Sequence, residues 1–554
     1  MASRVGLGPV FALEWLTTSR RRQVYAGRSA FVGTLLLGLS SVWLSQVSGR
    51  PPATIGEMAT VGRSFFAAIA LVQFTLILLA APAVLAGAIC QEKARGNLAL
   101  LLLTDLSDSE IVLGKLAARL LTVLGLVGCT LPVLALGALL GGIDPLALGG
   151  TFLISTGVAI LGGSIAFALS VWGTRTHEVL LATFAVYLVW LLAAPIWEFF
   201  AWQRGFPPLP RWAIVSHPTY LAFAPYVRPD RVTLADYLGF LAGALAVSSA
   251  LVALAIGRMR AVVVRQADGP ADRVAGRRPA AGPGLDRRPM LWYEWHRTRP
   301  TPWIRALTRF YFALAIGFSA LAVEDSLRTG TTNPGWLAAH VNAFQVAIGM
   351  MLLLIPASLS TAEERSRGSL DILLTTPITS RRIVLAKWWG VFRQVPRVLA
   401  LPTVVASALA WRKGEGWIMV ILLILDVLAA AAAWTGVGLA LSTWTPRVGR
   451  SVATAVALYV MGAFGLPVLA MTLFSGWWPI NQGLAMMSPF YGTFDLTIGI
   501  ESPRYFTGLA GWGLAWVVVQ SAMAAALLLT TLATFDRRLG RMPERSRPRP
   551  APQP

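Results

Sequence analysis

Glu92-Lys93-Ala94-Arg95-Gly96-Asn97-Leu98, running on to Ile111-Val112-Leu113-Gly114-Lys115, occurs twice in this chain. It returns as Glu364-Arg365-Ser366-Arg367-Gly368-Ser369-Leu370, closing on Ile383-Val384-Leu385-Ala386-Lys387. The two stretches align without a gap at an offset of 272 (364 minus 92), with 11 of 24 positions identical. The same offset pairs Gln73 with Gln345, Trp172 with Trp444, Arg175 with Arg447, Tyr187 with Tyr459, Pro195 with Pro467 and Ser216 with Ser488. Self-similarity at one fixed spacing is the mark of a duplicated structural unit.

Composition sets the solvent of that unit. Hydrophobic residues make up 56% of the 554 residues and charged residues 13%, with a mean hydropathy of +0.64. A soluble domain carries roughly 25% charged residues, so the chain reads as an integral membrane protein. The net charge of +21 would suit a nucleic-acid partner only if the charges formed a patch. They flank apolar stretches instead, as orientation signals do, and no nucleic acid is expected. Cys90 and Cys129 fall in or beside predicted spans and the four histidines are scattered. Neither pattern makes a disulfide framework or a metal site. The first 29 residues are polar and Arg-bearing, and no cleavable leader is expected.

Apolar stretches long enough to cross a bilayer, about 17–25 residues each, lie near 30–47, 65–90, 112–140, 147–171, 178–200 and 237–257. A second set lies near 308–323, 341–361, 383–410, 417–443, 451–474 and 508–533. The expected fold is all-α, with about 12 transmembrane helices in two six-helix repeats. Residues 1–260 form the first unit and 290–540 the second, joined by a flexible Gly/Pro/Arg-rich linker over 261–289 and followed by a disordered Arg/Pro-rich tail over 541–554. Arg20, Arg21, Arg22 and Arg28 precede the first span, twelve Arg lie between Arg258 and Arg309, and six follow between Arg537 and Arg549. The basic bias places both termini and the linker in the cytoplasm. An even number of spans per unit makes the repeat parallel.

Before each first span stands a Glu-Trp pair, Glu14-Trp15 and Glu294-Trp295, in a stretch suited to a helix in the headgroup layer. After each second span a charged Glu-x-x-Arg-Gly leads into a Leu run and a turn, Thr104-Asp105-Leu106-Ser107 or Thr376-Pro377-Ile378-Thr379. Ser107 with Glu110 fits a capping box opening the third span; the second copy keeps Thr379 but has Arg382. The carboxylate and guanidinium are able to bond each other or a partner's surface, and the glycine permits a bend.

This segment resembles the coupling segment of permeases in the exporter-type (ABC-2) membrane family of ABC transporters. That family includes bacterial permeases linked to multi-copper enzyme maturation and to gliding motility. The resemblance implies an interfacial N-terminal helix, six spans, short re-entrant helices before the sixth (within 201–236 and 475–507), and a hairpin that contacts a separate ATPase, here two copies. It implies coupling roles for Glu92, Arg95, Gly96, Glu364, Arg367 and Gly368. The first copy departs at Ala99 and Asp105, where the second has Asp371 and Pro377.

No Gly-x-x-x-x-Gly-Lys-[Ser/Thr] stretch occurs, so ATP hydrolysis is assigned to another polypeptide. No catalytic residues, metal ligands or cofactor are expected. Within the spans the polar candidates are Gln73 and Gln345, read as interhelical contacts, and Asp426, a functional hypothesis by its depth. The sequence supports an ATP-driven permease, an exporter in the bacterial inner membrane in contact with lipid. A secondary carrier with 6+6 repeats and a membrane scaffold are the alternative classes; the carrier would need charge pairs inside the bundle, and Asp426 is the one clear candidate.

Overall fold

The computed structural model describes residues 8–47, 54–94, 96–139, 141–173, 176–204, 207–227, 232–267, 289–297, 302–327, 334–366, 368–446, 448–474, 479–501 and 506–539. Among them there are helices, turns and no strand. Arg95, Arg367, Arg175 and Arg447 lie outside the described residues, as do 268–288 of the expected linker, residue 540 and the expected tail over 541–554.

The chain divides into two compact units, Met1–Val274 and Ala275–Pro554. In the first, α1 (Gly8–Ser19) precedes the spans α2 (Arg22–Val47) and α3 (Ile55–Leu85). The short helices α4 (Cys90–Ala94) and α5 (Asn97–Leu102) lead into a third span broken into α6 (Asp108–Gly128) and α7 (Leu131–Ala138). Then come α8 (Pro145–Trp172), α9 (Thr176–Arg204), the short α10 (Arg211–Val215) and α11 (Pro218–Val227), and α12 (Leu234–Ala267). Residues 261–267, expected to open the linker, continue α12.

The second unit repeats the order. The short α13 (Pro289–Arg297) precedes α14 (Pro302–Leu327) and α15 (Pro334–Ser366), then the short α16 (Ser369–Thr375) and a third span of α17 (Ser380–Phe392) and α18 (Val395–Lys413). It continues with α19 (Trp417–Trp444), α20 (Val448–Val460), a π-turn at Met461–Gly465, and α21 (Leu466–Leu473). The short α22 (Ile480–Ala485) and α23 (Pro489–Gly499) precede the last span, α24 (Phe506–Leu539). Pro132 and Pro396 stand at the breaks in the two third spans, where the missing N–H ends the ladder.

Among the described residues eleven helices are long and apolar enough to cross a membrane, and α9 adds a shorter apolar stretch at the twelfth place. The all-α, polytopic expectation of about twelve spans holds. The fourth spans are among the most buried, and their small residues explain why. In α19 the run Ala429 to Ala433, Gly436, Gly438 and Ala440 lets neighbours approach closely. A Cβ at Gly438 would lie 2.7 Å from the Ala357 Cβ on α15. Seventeen residues of α19 are buried along its length, which marks a helix interior to its unit.

Candidate functional site

The repeated segment forms a hairpin in each unit. Gly96 and Gly368 take φ of +73° and +72°, the left-handed conformation that turns the chain between the preceding helix and α5 or α16. Open space surrounds both Cβ positions, so backbone geometry alone calls for glycine. Two residues on, Leu98 and Leu370 are 1% and 2% exposed and pin the short helix inward. Two residues later the opposite face appears, with Leu100 66% exposed and Ile372 71%, and Leu103, just past the end of α5, is 84% exposed. Thr104 and Thr376 each donate back to the carbonyl three residues earlier, both at 2.6 Å. The capping box at Ser107 and Glu110 is present in full. Thr379 sits at the N-cap of α17 without a side-chain cap bond.

Behind each hairpin three charges converge. Lys115 Nζ lies 2.7 Å from Glu14 Oε1 and 3.5 Å from Glu92 Oε1. Lys387 Nζ lies 2.9 Å from Glu294 Oε1, 2.7 Å from Glu364 Oε2, and donates to the Ser360 carbonyl at 3.2 Å. The sequence reading offered Glu92 and Glu364 to the nearby guanidinium or to a partner's surface. The structure turns both carboxylates toward a lysine buried in the third span, which needs counter-charge. The second clasp is nearly sealed, with side-chain exposures of 0, 5 and 5%, against 4, 18 and 15% in the first. Burial pushes the Glu14 carboxyl up. The Lys115 hydrogen bond and charge, with Arg119 and Arg21, more than reverse this and hold it below its ordinary value.

The Glu-Trp helices are thereby fixed to the third spans, α1 on α6 and α13 on α17. Gly390 lets α13 approach: a Cβ there would be 3.3 Å from the Glu294 Cβ. Arg393 stacks its guanidinium over the Trp295 ring at 3.8 Å.

A second anchor recurs at the same offset. Lys93 donates to the carbonyls of Val171 and Gly173. Arg365 donates to those of Thr443 and Thr445 at 2.9 and 3.2 Å. Each cation thus satisfies the orphan carbonyls at the C-terminal end of the fourth span, where the helix dipole is negative. The sixth span is tied to the start of the third in both units with opposite polarity. Arg260 pairs with Asp108 at 2.9 Å, and Ser380 donates to Asp536.

Within the spans, Gln73 donates to Ser155 Oγ on α8 at 2.8 Å. Gln345 donates to Ser319 Oγ and the Ala315 carbonyl on α14, at 2.8 and 3.0 Å. Both bond a neighbouring helix, though not the same one. Asp426 is 2% exposed on α19, with a carboxylate oxygen 3.5 Å from the Cβ position of Gly492 on α23. The sequence reading passed over Asp495, buried on α23 and accepting from Gln482 at 3.0 Å. In the first unit Ile154 and Phe223 stand at the matching places. The expected short helices before the sixth span are present, and each pair is tied to the same point of the fifth. His217 Nε2 lies 2.9 Å from the Leu191 carbonyl, and Ser488 donates to that of Ala463 at 2.5 Å.

Sequence reasoning also missed Lys93 with Arg365 as helix caps and Lys115 with Lys387 as the centre of the clasps. A signal for each was available: a basic side chain kept at one offset, and an identical lysine inside an apolar span, which demands a partner. Among the described residues no group of three or more His, Cys, Asp or Glu is placed to hold a metal.

No curated protein matches the chain. The ABC-2 family transporter protein family matches residues 231–538, from the start of α12 to the end of α24. That is more than half of the chain, and it takes in one complete hairpin with its clasp and its helix cap. The chain is a multi-pass membrane protein that belongs to the ABC-2 transporter family, the membrane permease components of ABC transporters.

Proposed function

We propose that this chain is two permease units fused into the membrane half of an ATP-driven exporter. Its hairpins are the contacts for a separate ATP-binding subunit, one copy per hairpin. Members of the family normally work with such a subunit, and this sequence has no phosphate-binding loop of its own. The hairpins, both termini and the linker face the cytoplasm of a bacterial inner membrane in this reading, as the Arg distribution favours.

One observation carries the assignment of the docking face. Leu100 and Ile372 stand at matched positions, each well exposed, on short helices held from behind by buried Leu98 and Leu370. A short amphipathic helix that presents an apolar knob on a fixed base suits the groove of a soluble partner. Gly96 and Gly368 set the approach of that helix. Glu92 and Glu364 act from inside, through Lys115 and Lys387. Arg95 and Arg367 stay in the proposal on the strength of the motif.

The test is co-purification of an ATP-hydrolysing subunit with the full chain from native membranes. Ile372→Asp and Leu100→Asp each remove an apolar side chain worth about 1.5–3 kcal/mol when buried. Retention should fall by roughly tenfold or more. Undiminished retention by the double variant would remove the docking assignment.

A further inference from the structure

We propose that Lys115 and Lys387 are positioning residues that lock each docking hairpin to the adjacent Glu-Trp helix, so that the two move as one body. The proposal rests on the coupling reading of the hairpin given above. In each unit one lysine Nζ reaches two carboxylates from different elements. One belongs to the hairpin segment, Glu92 or Glu364, and the other to the helix before the first span, Glu14 or Glu294.

The cluster recurs although the two units differ in length between its parts. The lysines and hairpin glutamates stand 272 apart (387 minus 115, 364 minus 92), but the helix glutamates stand 280 apart (294 minus 14). The first span shares the spacing of the Glu-Trp segment (302 minus 22 and 327 minus 47 for the ends of α14 and α2), so the eight-residue difference falls between the first span and the hairpin, and the three-charge cluster is closed in both units.

The clasp also has a direction. The hairpin is already tied to the end of the fourth span by Lys93 or Arg365, so the clasp is not needed to keep it on the unit. What the clasp adds is a connection to α1 and α13, whose Trp15 and Trp295 suit the headgroup layer. A displacement applied at Leu100 or Ile372 then reaches the helix that leads into the first span. In the second unit, Arg393 over Trp295 and the close approach at Gly390 reinforce the same contact.

The experiment uses the full chain in phosphatidylethanolamine–phosphatidylglycerol vesicles, with Cys90→Ser and Cys129→Ser. Spin labels go on Tyr293→Cys in α13 and Ile372→Cys in α16, both exposed positions, and the distance between them is read by pulsed electron resonance. One narrow distance is expected, kept by Lys387→Arg, which preserves the charge. Glu294→Gln weakens the pull on α13 while leaving Lys387 paired with Glu364, so it must broaden the distribution even if Lys387→Met fails to fold. Native-width distributions in Glu294→Gln would overturn the proposal, and so would broadening in Lys387→Arg equal to that in Glu294→Gln. No ATPase is needed for this readout. Failure of the docking assignment would appear in subunit retention and leave the label distances untouched.

Discussion

Lys387 and Glu364 meet at 2.7 Å with side-chain exposures of 0 and 5%, while their counterparts Lys115 and Glu92 stand 3.5 Å apart with exposures of 4 and 15%. The same three charges are therefore held in two environments. A buried ion pair whose partner is deleted leaves an uncompensated charge, at a cost of about 3–5 kcal/mol, and water softens that cost where it reaches. Lys387→Met should lower the unfolding midpoint more than Lys115→Met, followed by tryptophan fluorescence in detergent. Equal shifts would show that the difference in burial carries no energetic weight.

The Glu14 carboxyl is held below its ordinary value of 4.5. A depressed carboxyl contributes stability that is present above its unfolded value and lost as pH falls through the folded one. The contact of α1 with α6 should therefore loosen in acid below about pH 4.5, seen as faster hydrogen exchange across residues 8–19. Glu14→Gln should show fast exchange at neutral pH and lose that acid step.

Gly96 and Gly368 differ from most glycines here in that only their φ matters. An L side chain in the left-handed region costs about 1–2 kcal/mol. Gly368→Ala should weaken retention of the ATP-binding subunit or lower stability by that amount, and Gly368→Asn by less, because Asn tolerates this region. An Ala variant indistinguishable from wild type in both assays would argue that the hairpin turns some other way.

Arg365 spans two carbonyls at the end of α19. Hydrogen bonds to a charged group contribute about 1.5–3 kcal/mol, so Arg365→Met should free the hairpin and the end of α19 together. Protease cleavage within 366–376 should accelerate in Arg365→Met, and Arg365→Lys should restore most of the protection.

Orientation has a direct test. Single cysteines at positions 275 and 545, in a background without Cys90 and Cys129, should escape a membrane-impermeant reagent applied from outside the cell. Cysteines at positions 52 and 330 should react. Labelling of position 275 from outside would invert the topology proposed from the Arg distribution.

The sequence by itself determined the all-helical class, the succession of spans, the duplicated hairpin and the cap at Ser107. Each of these is a local property: hydropathy over about 20 residues, a repeat at fixed spacing, or a hydrogen bond between residues three apart. It also isolated the segment around Glu92 and Glu364, but not their lysine partners, because a charge beside a membrane span can face either way. Tertiary structure decided that direction. Lys115 lies 101 residues from Glu14, and Lys387 lies 93 from Glu294, so no periodicity links them. The packing of α1 on α6 and of α13 on α17 brings each pair within bonding distance. The same packing buries Leu98 and Leu370 while leaving Leu100 and Ile372 outside, a choice that a nearly unbroken leucine run cannot encode. Hydrophobicity fixes that such a helix has an inner face, and only the neighbours it packs against fix which residues lie on it.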